Sequence, residues 1–400
     1  MRPTASSGVG AYLGVVQFFF ALCWTVYVIF LPRLALQAGI PKQAVIWILM
    51  LDQLVFVLVD YTMGVASDRL ARVVGQIGHF VLGVTVLSCV AFLALPFVAP
   101  QGSPTLFLAV VVLWSASTSA LRAPPLTLIG RHAARPNQPW LVALSLLGLG
   151  AAGAIAPYLA VHLRGIDPRV PFVLSSAALV VTTLGIVAAE RALARASSSS
   201  TTLVGQPAPV SSGATTPGLP TMVFVLPVLF AALAFQVHAS LNSEPLYLRL
   251  ATPAEMPFLA PVFWIGFNLF MLPATLATRR WPALRVMGAA GFVAAAAALA
   301  AQHAGSLALL IAAQCIAGAA WAALLLSAFA AALELGRSGR EGRFSGALSS
   351  VLAGAALLRM AVIAFAWHKE SPLLLQWLPV VAWLLAGGAL LAIARPRAPT

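Results

Sequence analysis

The sequence predicts an all-α integral membrane protein of about twelve transmembrane helices, arranged as two six-helix bundles with pseudo-twofold symmetry. Three observations predict this fold class. Of 400 residues, 61% are hydrophobic and only 8% are charged, whereas about a quarter of a soluble domain is charged. The apolar residues form runs of about twenty, the length of a membrane-crossing helix. One long polar segment divides these runs into two equal groups.

The predicted spans follow one another at short intervals, separated by loops that carry charged residues, Gly and Pro. The first group comprises residues 11–31, 43–65, 75–98, 105–129, 140–162 and 170–189. The second group comprises residues 220–243, 257–278, 283–301, 306–334, 344–366 and 373–394. The runs are rich in Ala and Leu and do not alternate with period two, so the pattern disfavours a β-barrel.

The basic residues between the spans predict the orientation. If the amino terminus is cytoplasmic, loops that carry Arg69, Arg131, Arg279 and Arg340 lie inside, as does most of the chain's total of 23 Lys and Arg residues. This bias is the one that cytoplasmic loops show. We therefore expect both termini in the cytoplasm and a multi-pass protein of the cell (plasma or inner) membrane. The net charge of +13 then reflects topology, and no nucleic-acid partner is expected.

The polar segment at residues 190–219 differs in kind from the other connections. It is rich in Ser, Thr, Pro and Gly, a composition that buries little apolar surface and is typical of flexible linkers. We expect a cytoplasmic linker here between an amino-terminal bundle at 1–189 and a carboxy-terminal bundle at 220–400. Repeated halves around a midplane cavity are a recurring plan of transporters.

The loop after the second span carries a motif. It runs from Gly64 through Asp68 and Arg69 to Arg72, and it resembles the signature loop of the major facilitator superfamily. With the six-linker-six plan, the resemblance covers nearly the whole chain. Ala71 stands where the family usually has a second Gly. The resemblance implies that fold, and a loop that holds the cytoplasmic side shut in the outward-open state.

Each residue type in this motif has a physical reason to be there. Gly64 allows two helices to pack closely. Asp68 can meet a helix amino terminus or an arginine across the gap between the halves. Arg69 and Arg72 can bridge carboxylates or lipid phosphates, although both could also serve only to mark the cytoplasmic side.

The fifth span contains small residues from Gly148 to Gly153 followed by Pro157. This stretch resembles in part a second signature of the family that is typical of exporters. It also matches a dinucleotide fingerprint in form, but that motif needs a preceding strand and a later acidic residue. We expect a close-packing helix face instead, and no cofactor.

Ionisable residues within spans are costly and indicate functional sites. Asp52 and Arg359 fall at similar depths in the second and eleventh spans. We expect them to pair in one conformation, either as a proton-coupling device or as a static structural pair. Asp60 and Arg122 also share a depth, so Arg122 either pairs with Asp60 or anchors an anionic substrate. Glu244 completes the proton-coupling candidates.

The seventh span is the most polar, and Pro245 within it should disrupt helical hydrogen bonding. Its polar residues are candidates for substrate contact, although an outer gate or a simple helix end fits them equally. The substrate-cavity candidates are Gln17, Trp24, Arg122, Gln236, His238, Asn242, Asn268, Gln314 and Trp321.

Together the residues and the resemblance imply a secondary active transporter, not an enzyme, that moves a small solute by alternating access with proton coupling, as in a symporter. One alternative is a drug or metabolite exporter (a proton antiporter) of the same fold. Another, from a different class, is a membrane-embedded accessory subunit or a channel. The expected partners are a small-molecule substrate, protons and membrane lipid, and the expected state is a monomer. No metal is expected, because the cysteines are isolated and no acidic or histidine cluster accompanies them.

Overall fold

The computed structural model describes residues 5–73, 78–133, 137–203, 221–336 and 339–394. Within these ranges every regular element is a helix. Eleven of the described helical segments are long and apolar enough to cross a membrane, and Pro104–Ser119 is a shorter apolar helix. Each of the predicted spans coincides with one helix or with two consecutive helices, which confirms the predicted architecture.

The helices of the first half begin and end as follows: α1 Ala5–Gln37, α2 Val45–Val73, α3 Gly78–Val98, α4 Pro104–Ser119, α5 Ala123–His132, α6 Gln138–His162, α7 Arg169–Thr183 and α8 Ile186–Leu203. Those of the second half are α9 Thr221–Val237, α10 Ser243–Leu248, α11 Met256–Leu259, α12 Val262–Arg280, α13 Ala283–Gln302, α14 Leu307–Leu335, α15 Glu341–Ala364, α16 Trp367–Glu370 and α17 Pro372–Ile393.

The fourth span, expected as one helix at 105–129, is broken between α4 and α5. The backbone N–H of Arg122 donates to the carbonyl of Ser119 at 3.1 Å. This bond spans three residues, whereas the bonds of an α-helix span four. Pro124 and Pro125 follow directly, and neither has the N–H that a continuous helix would use. The expectation of an unbroken span was wrong, and the break places Arg122 at the start of α5.

The polar segment after the sixth span is helical further than expected. α8 continues to Leu203, so the first part of the linker predicted at 190–219 is not a flexible chain. The local sequence from Glu190 to Ala196 contains Glu, Arg, Ala and Leu, which are strong helix formers. Glu190 also accepts a hydrogen bond from the backbone N–H of Gly78 at 2.8 Å. The rest of the predicted linker lies outside the described residues.

The seventh span is interrupted where the sequence predicted it. α9 ends at Val237, a π-helical turn covers His238–Asn242, and α10 begins at Ser243. Pro245 has no N–H to donate to the carbonyl four residues before it, so the helix widens there. Such π turns often occur at functional sites.

The Gly148–Gly153 stretch of α6 is a close-packing face, as expected. A Cβ added at Gly148 would overlap the main chain of Gly14 on α1. A Cβ at Gly150 would lie 2.5 Å from Oδ1 of Asn268, and one at Gly153 would lie 2.6 Å from the indole of Trp264. These glycines therefore join α6 to α1 within the first half and to α12 of the second half.

Candidate functional site

The two halves approach each other most closely along α2 and α15. A Cβ at Gly64 would overlap the carbonyl oxygen of Gly342, and one at Gly346 would lie 2.5 Å from the carbonyl oxygen of Asp60. Further along, the hydroxyl of Ser350 donates to the carbonyl of Val57 at 2.8 Å. Main chain therefore meets main chain across the interface, which is possible only because small residues line it.

Asp68 connects the end of this contact to the start of α15. Its side chain is only 8% exposed. Oδ1 accepts from the N–H of Gly342 at 2.7 Å and Oδ2 accepts from the N–H of Arg343 at 2.8 Å. These are among the first N–H groups of a helix, which lack partners within the helix and carry its positive dipole end. Asp68 thus caps a helix of the other half, one of the two contacts that the sequence allowed for it.

A second contact lies at the same end of the molecule. A Cβ at Gly130 of α5 would lie 2.9 Å from Cγ of Glu341 on α15 and 3.1 Å from Cδ2 of Leu333 on α14.

Arg69, the next residue of the signature loop, is exposed. Arg72 belongs to α2, but its side chain lies outside the described part of the structure.

Asp60 and Arg122 form an ion pair, one of the two roles that the sequence left open for Arg122. Nη1 of Arg122 lies 3.1 Å from Oδ2 of Asp60, whose side chain is fully buried. The hydroxyl of Ser119 donates to the other carboxylate oxygen. The guanidinium of Arg122 also lies 4.0 Å from the centre of the Phe56 ring, a distance at which cation–π attraction contributes.

Asp52 does not pair with Arg359 in this structure; the sequence predicted that pair in one of the two conformations of the protein. Its buried carboxylate accepts from the hydroxyl of Tyr27 at 2.8 Å and from that of Ser115 at 2.5 Å. Nε of Arg359 is buried without a hydrogen-bond partner among the described residues. The two residues share a depth, but the side chain of Asp52 points into its own half, where α1 and α4 supply hydroxyl groups.

The hydroxyl partners of these aspartates were missed from the sequence. Ser115, Ser119 and Arg122 occupy positions i, i+4 and i+7 of the fourth span, a spacing that places them on one helix face. Asp52 and Asp60 are eight residues apart on α2, about two helical turns, so they also share one face. A search for matched polar stripes would have found this pair of faces.

In the second half, His238 and Gln314 lie together, and both were sequence candidates. His238 is 2% exposed on the π-helical turn, and its Nε2 lies 3.0 Å from Oε1 of Gln314 on α14. The His238 ring centre is 5.4 Å from that of Trp383. Nε2 of Gln314 and Nε1 of Trp383 have no partner within the described ranges, so this buried cluster retains two free donors.

The aromatic candidates belong to two clusters, one in each half. Trp24 lies 5.4 Å from Phe56 and stacks on Trp114 at 6.0 Å between ring centres. Trp321 stacks on Phe235 at 4.2 Å. Asn268 donates to the carbonyl of its own helix at Trp264.

The remaining candidates are not part of these clusters. Asn242 is half-buried and donates to the carbonyl of Leu375 on α17 at 2.9 Å, which ties the π-helical turn to the last span. Gln17 and Gln236 are half-buried, and Glu244 is exposed.

Comparison with known proteins bears on the fold. No family model and no curated protein matches this sequence. Among solved structures, the E. coli fucose:proton symporter FucP is similar with a TM-score of 0.66 and 14% identity, over 98% of this chain and 100% of that one. The human organic anion transporter MFSD10 has a TM-score of 0.69 and 14% identity, over 98% of each chain.

A bacterial homologue of the iron transporter ferroportin, in an outward-facing state, has a TM-score of 0.70 and 15% identity, over 97% of this chain and 100% of that one. A second FucP structure, described as a major facilitator superfamily transporter in the outward conformation, has a TM-score of 0.61. The chain therefore has the major facilitator fold that its signature loop indicated, and it is a multi-pass membrane protein.

Proposed function

We propose that the protein is a secondary active transporter that moves a small solute across the cell membrane by alternating access. The observation that carries this proposal is the contact between α2 and α15, in which Asp68 of one half caps the helix of the other. Two hydrogen bonds and a closely approaching glycine interface form a contact that can open without unfolding either half. With both termini in the cytoplasm, this structure corresponds to a state closed on the cytoplasmic side.

Proton coupling is proposed to reside at Asp52. Its carboxylate is fully buried and has hydroxyl partners but no cation within reach among the described residues. An isolated charge in the membrane interior is costly, and protonation removes it. Asp60 is a weaker candidate because Arg122 already neutralises it. FucP, described as a fucose:proton symporter, shows that the fold is compatible with such coupling.

A specific observation favours anionic solutes. The charge of Arg122 is matched by Asp60, whereas Arg359 carries a buried guanidinium nitrogen with no hydrogen-bond partner in the described ranges. Arg359 as a whole is half-buried, and a ligand carboxylate, sulfate or phosphate would stabilise its guanidinium. MFSD10, described as an organic anion transporter, shares the fold. The second candidate function is therefore an organic-anion exporter driven by proton antiport.

The experiment that tests the function begins with a thermal-shift screen of the purified protein against organic acids, sugars, amino acids and drugs. Solutes that stabilise the protein are then assayed in proteoliposomes. A carrier gives saturable flux and counterflow, in which unlabelled solute on one side drives labelled solute uphill. Flux that rises linearly with concentration and shows no counterflow would indicate a channel, and no flux of any stabilising solute would indicate an accessory subunit.

A further inference from the structure

A large groove lies on the second half, away from the contact with the first half. It has a volume of about 740 Å³ and is lined by α12, α13 and α14. The α12 residues that line it include Gly266, Phe270 and Ala277. Those that meet the first half, Trp264 and Asn268, are not among them. The groove and the interface between the halves therefore use different faces of α12.

The groove exists because α12 and α13 both pack on α14 and scarcely touch each other. Its floor consists of small residues of α14, including Ala319, Ala320 and Ala323. Leu269 and Ile316 at its sides are exposed, so the groove is open at the surface of the bundle. In a membrane-spanning chain, this surface faces lipid.

The length of the groove matches one leaflet of the bilayer. From Gly266 to Ala277, α12 rises roughly 17 Å at 1.5 Å per residue. Half of the hydrocarbon core is about 15 Å thick. The groove begins at Trp281 and Arg285, residue types that occur at the boundary between lipid tails and headgroups. The apolar part of the groove is therefore about as long as the lipid tails of the leaflet in which it lies.

The charge at this boundary selects the headgroup. Among the described residues that line the groove, Arg285 is the one charged residue, and the other side chains are apolar. Arg280, at the end of α12, is exposed and does not line the groove. Basic sites between transmembrane helices bind anionic headgroups, whereas a polar solute would find no second polar group in this lining.

We propose that this groove binds one anionic phospholipid, with an acyl chain along α12 and α13 and the phosphate at Arg285. This binding site is separate from the proposed transport route. The groove opens on the lipid-facing surface of the second half, whereas the proposed route lies between the two halves. The preference over a zwitterionic lipid comes from Arg285, since neutral and anionic lipids have the same tails. We expect this preference to be about five-fold.

The test uses the full-length protein in nanodiscs that contain phospholipid with brominated tails. Bromine quenches the fluorescence of nearby tryptophan indoles. Trp281 lies at the groove entrance, and the difference in quenching between the wild type and Trp281→Phe isolates its signal. We expect dibromo-phosphatidylglycerol to quench this signal at about one-fifth of the concentration that dibromo-phosphatidylcholine requires. Arg285→Gln removes the preference, and the matched control Arg280→Gln retains it.

A second pair of variants tests the groove independently of its charge. Ala319→Phe fills the floor of the groove and should reduce quenching by both lipids, whereas Ala296→Phe, at an exposed position of α13 outside the lining, should not. Equal quenching by the two lipids in the wild type, or an unchanged preference in Arg285→Gln, would overturn the proposal and leave only non-specific lipid around the protein. Unaltered quenching in Ala319→Phe would also overturn it.

Discussion

At the scale of single residues, three aspartates of α2 have different hydrogen-bond partners, and these partners give each aspartate a different role. Asp52 is bonded only to hydroxyl groups, Asp60 is paired with a cation, and Asp68 accepts from the amino terminus of α15. A carboxylate bonded to hydroxyls can gain a proton without breaking an ion pair. A paired carboxylate is held in place, and a capping carboxylate joins two elements.

The role of Asp52 gives the first prediction. We expect Asp52→Asn to abolish the response of transport to a pH gradient while solute counterflow continues, because the amide keeps the shape of the carboxyl but binds no proton. The measurement is uptake into proteoliposomes, with and without an imposed gradient, of a solute identified by thermal shift. Asp167→Asn, at an exposed loop position, is the control. A gradient response in Asp52→Asn equal to that of the wild type would exclude Asp52 as the coupling site.

The Asp60–Arg122 pair gives the second prediction. Arg122→Gln should destabilise the protein by about 3 kcal/mol, because it leaves the buried Asp60 charge without a partner. The double variant Asp60→Asn/Arg122→Gln should lose less stability than the sum of the losses in the two single variants, because no unpaired charge remains. Thermal unfolding in detergent measures all three. Strictly additive losses would mean that the pair contributes no coupling energy.

The sequence predicted some of these contacts, and the failures have a physical cause. Depth along a helix follows from residue count, and the equal depths of Asp60 and Arg122 indicated their ion pair as one of two alternatives. The direction in which a side chain points around the helix depends on packing, so equal depth alone could not predict that Asp52 and Arg359 are apart in this conformation. Ser115 was missed because serine hydroxyls in apolar helices commonly bond to their own helix. Tyr27 was missed because the direction of its ring around α1 also depends on packing.

At the scale of elements, prolines show what a local sequence can predict. Pro245 coincides with the predicted interruption of the seventh span, and the unpredicted break in the fourth span precedes Pro124. Six further prolines lie inside continuous helices: Pro32, Pro96, Pro157, Pro227, Pro273 and Pro379. A proline removes one hydrogen bond, but whether the helix breaks depends on its neighbours. The position of a break therefore needs the tertiary structure.

The close approach of α2 and α15 gives the third prediction. Gly64→Ala should destabilise the protein by ~1–3 kcal/mol, because its Cβ would overlap the backbone of Gly342 and push the helices apart. Gly83→Ala is the matched control, since nothing lies within 4 Å of a Cβ at that helical position. The control should be neutral or stabilising, because Ala favours helix more than Gly does. Thermal unfolding compares the two, and equal effects would show that the close approach does not matter for stability.

At the scale of the whole molecule, the architecture could be predicted from general requirements of the bilayer. Backbone groups in hydrocarbon must be bonded within a helix, so run length and composition determine the spans. The cargo could not be predicted in this way. The similar structures are described as a fucose:proton symporter, an organic anion transporter and a bacterial homologue of an iron transporter, which fits the general rule that one fold serves different solutes.

The central claim is that the halves rock against each other, with Asp68 as part of the closure. Cysteine pairs that carry spin labels can report this motion after the three native cysteines are replaced. His79 and Arg280 are exposed near the end of the two halves that carries the Asp68 contact, and Gln37 and Ala254 are exposed near the opposite end. None of these residues is part of the proposed closure.

The most direct test is therefore a pulsed electron paramagnetic resonance measurement of both distances in the wild type and in Asp68→Asn. An amide gives the amino terminus of α15 a weaker partner than a carboxylate, so this variant should populate the opposite state. We expect the His79–Arg280 distance to lengthen and the Gln37–Ala254 distance to shorten together. If the first distance lengthens while the second stays unchanged, or if neither distance changes, the two halves do not alternate about this contact and the account is wrong.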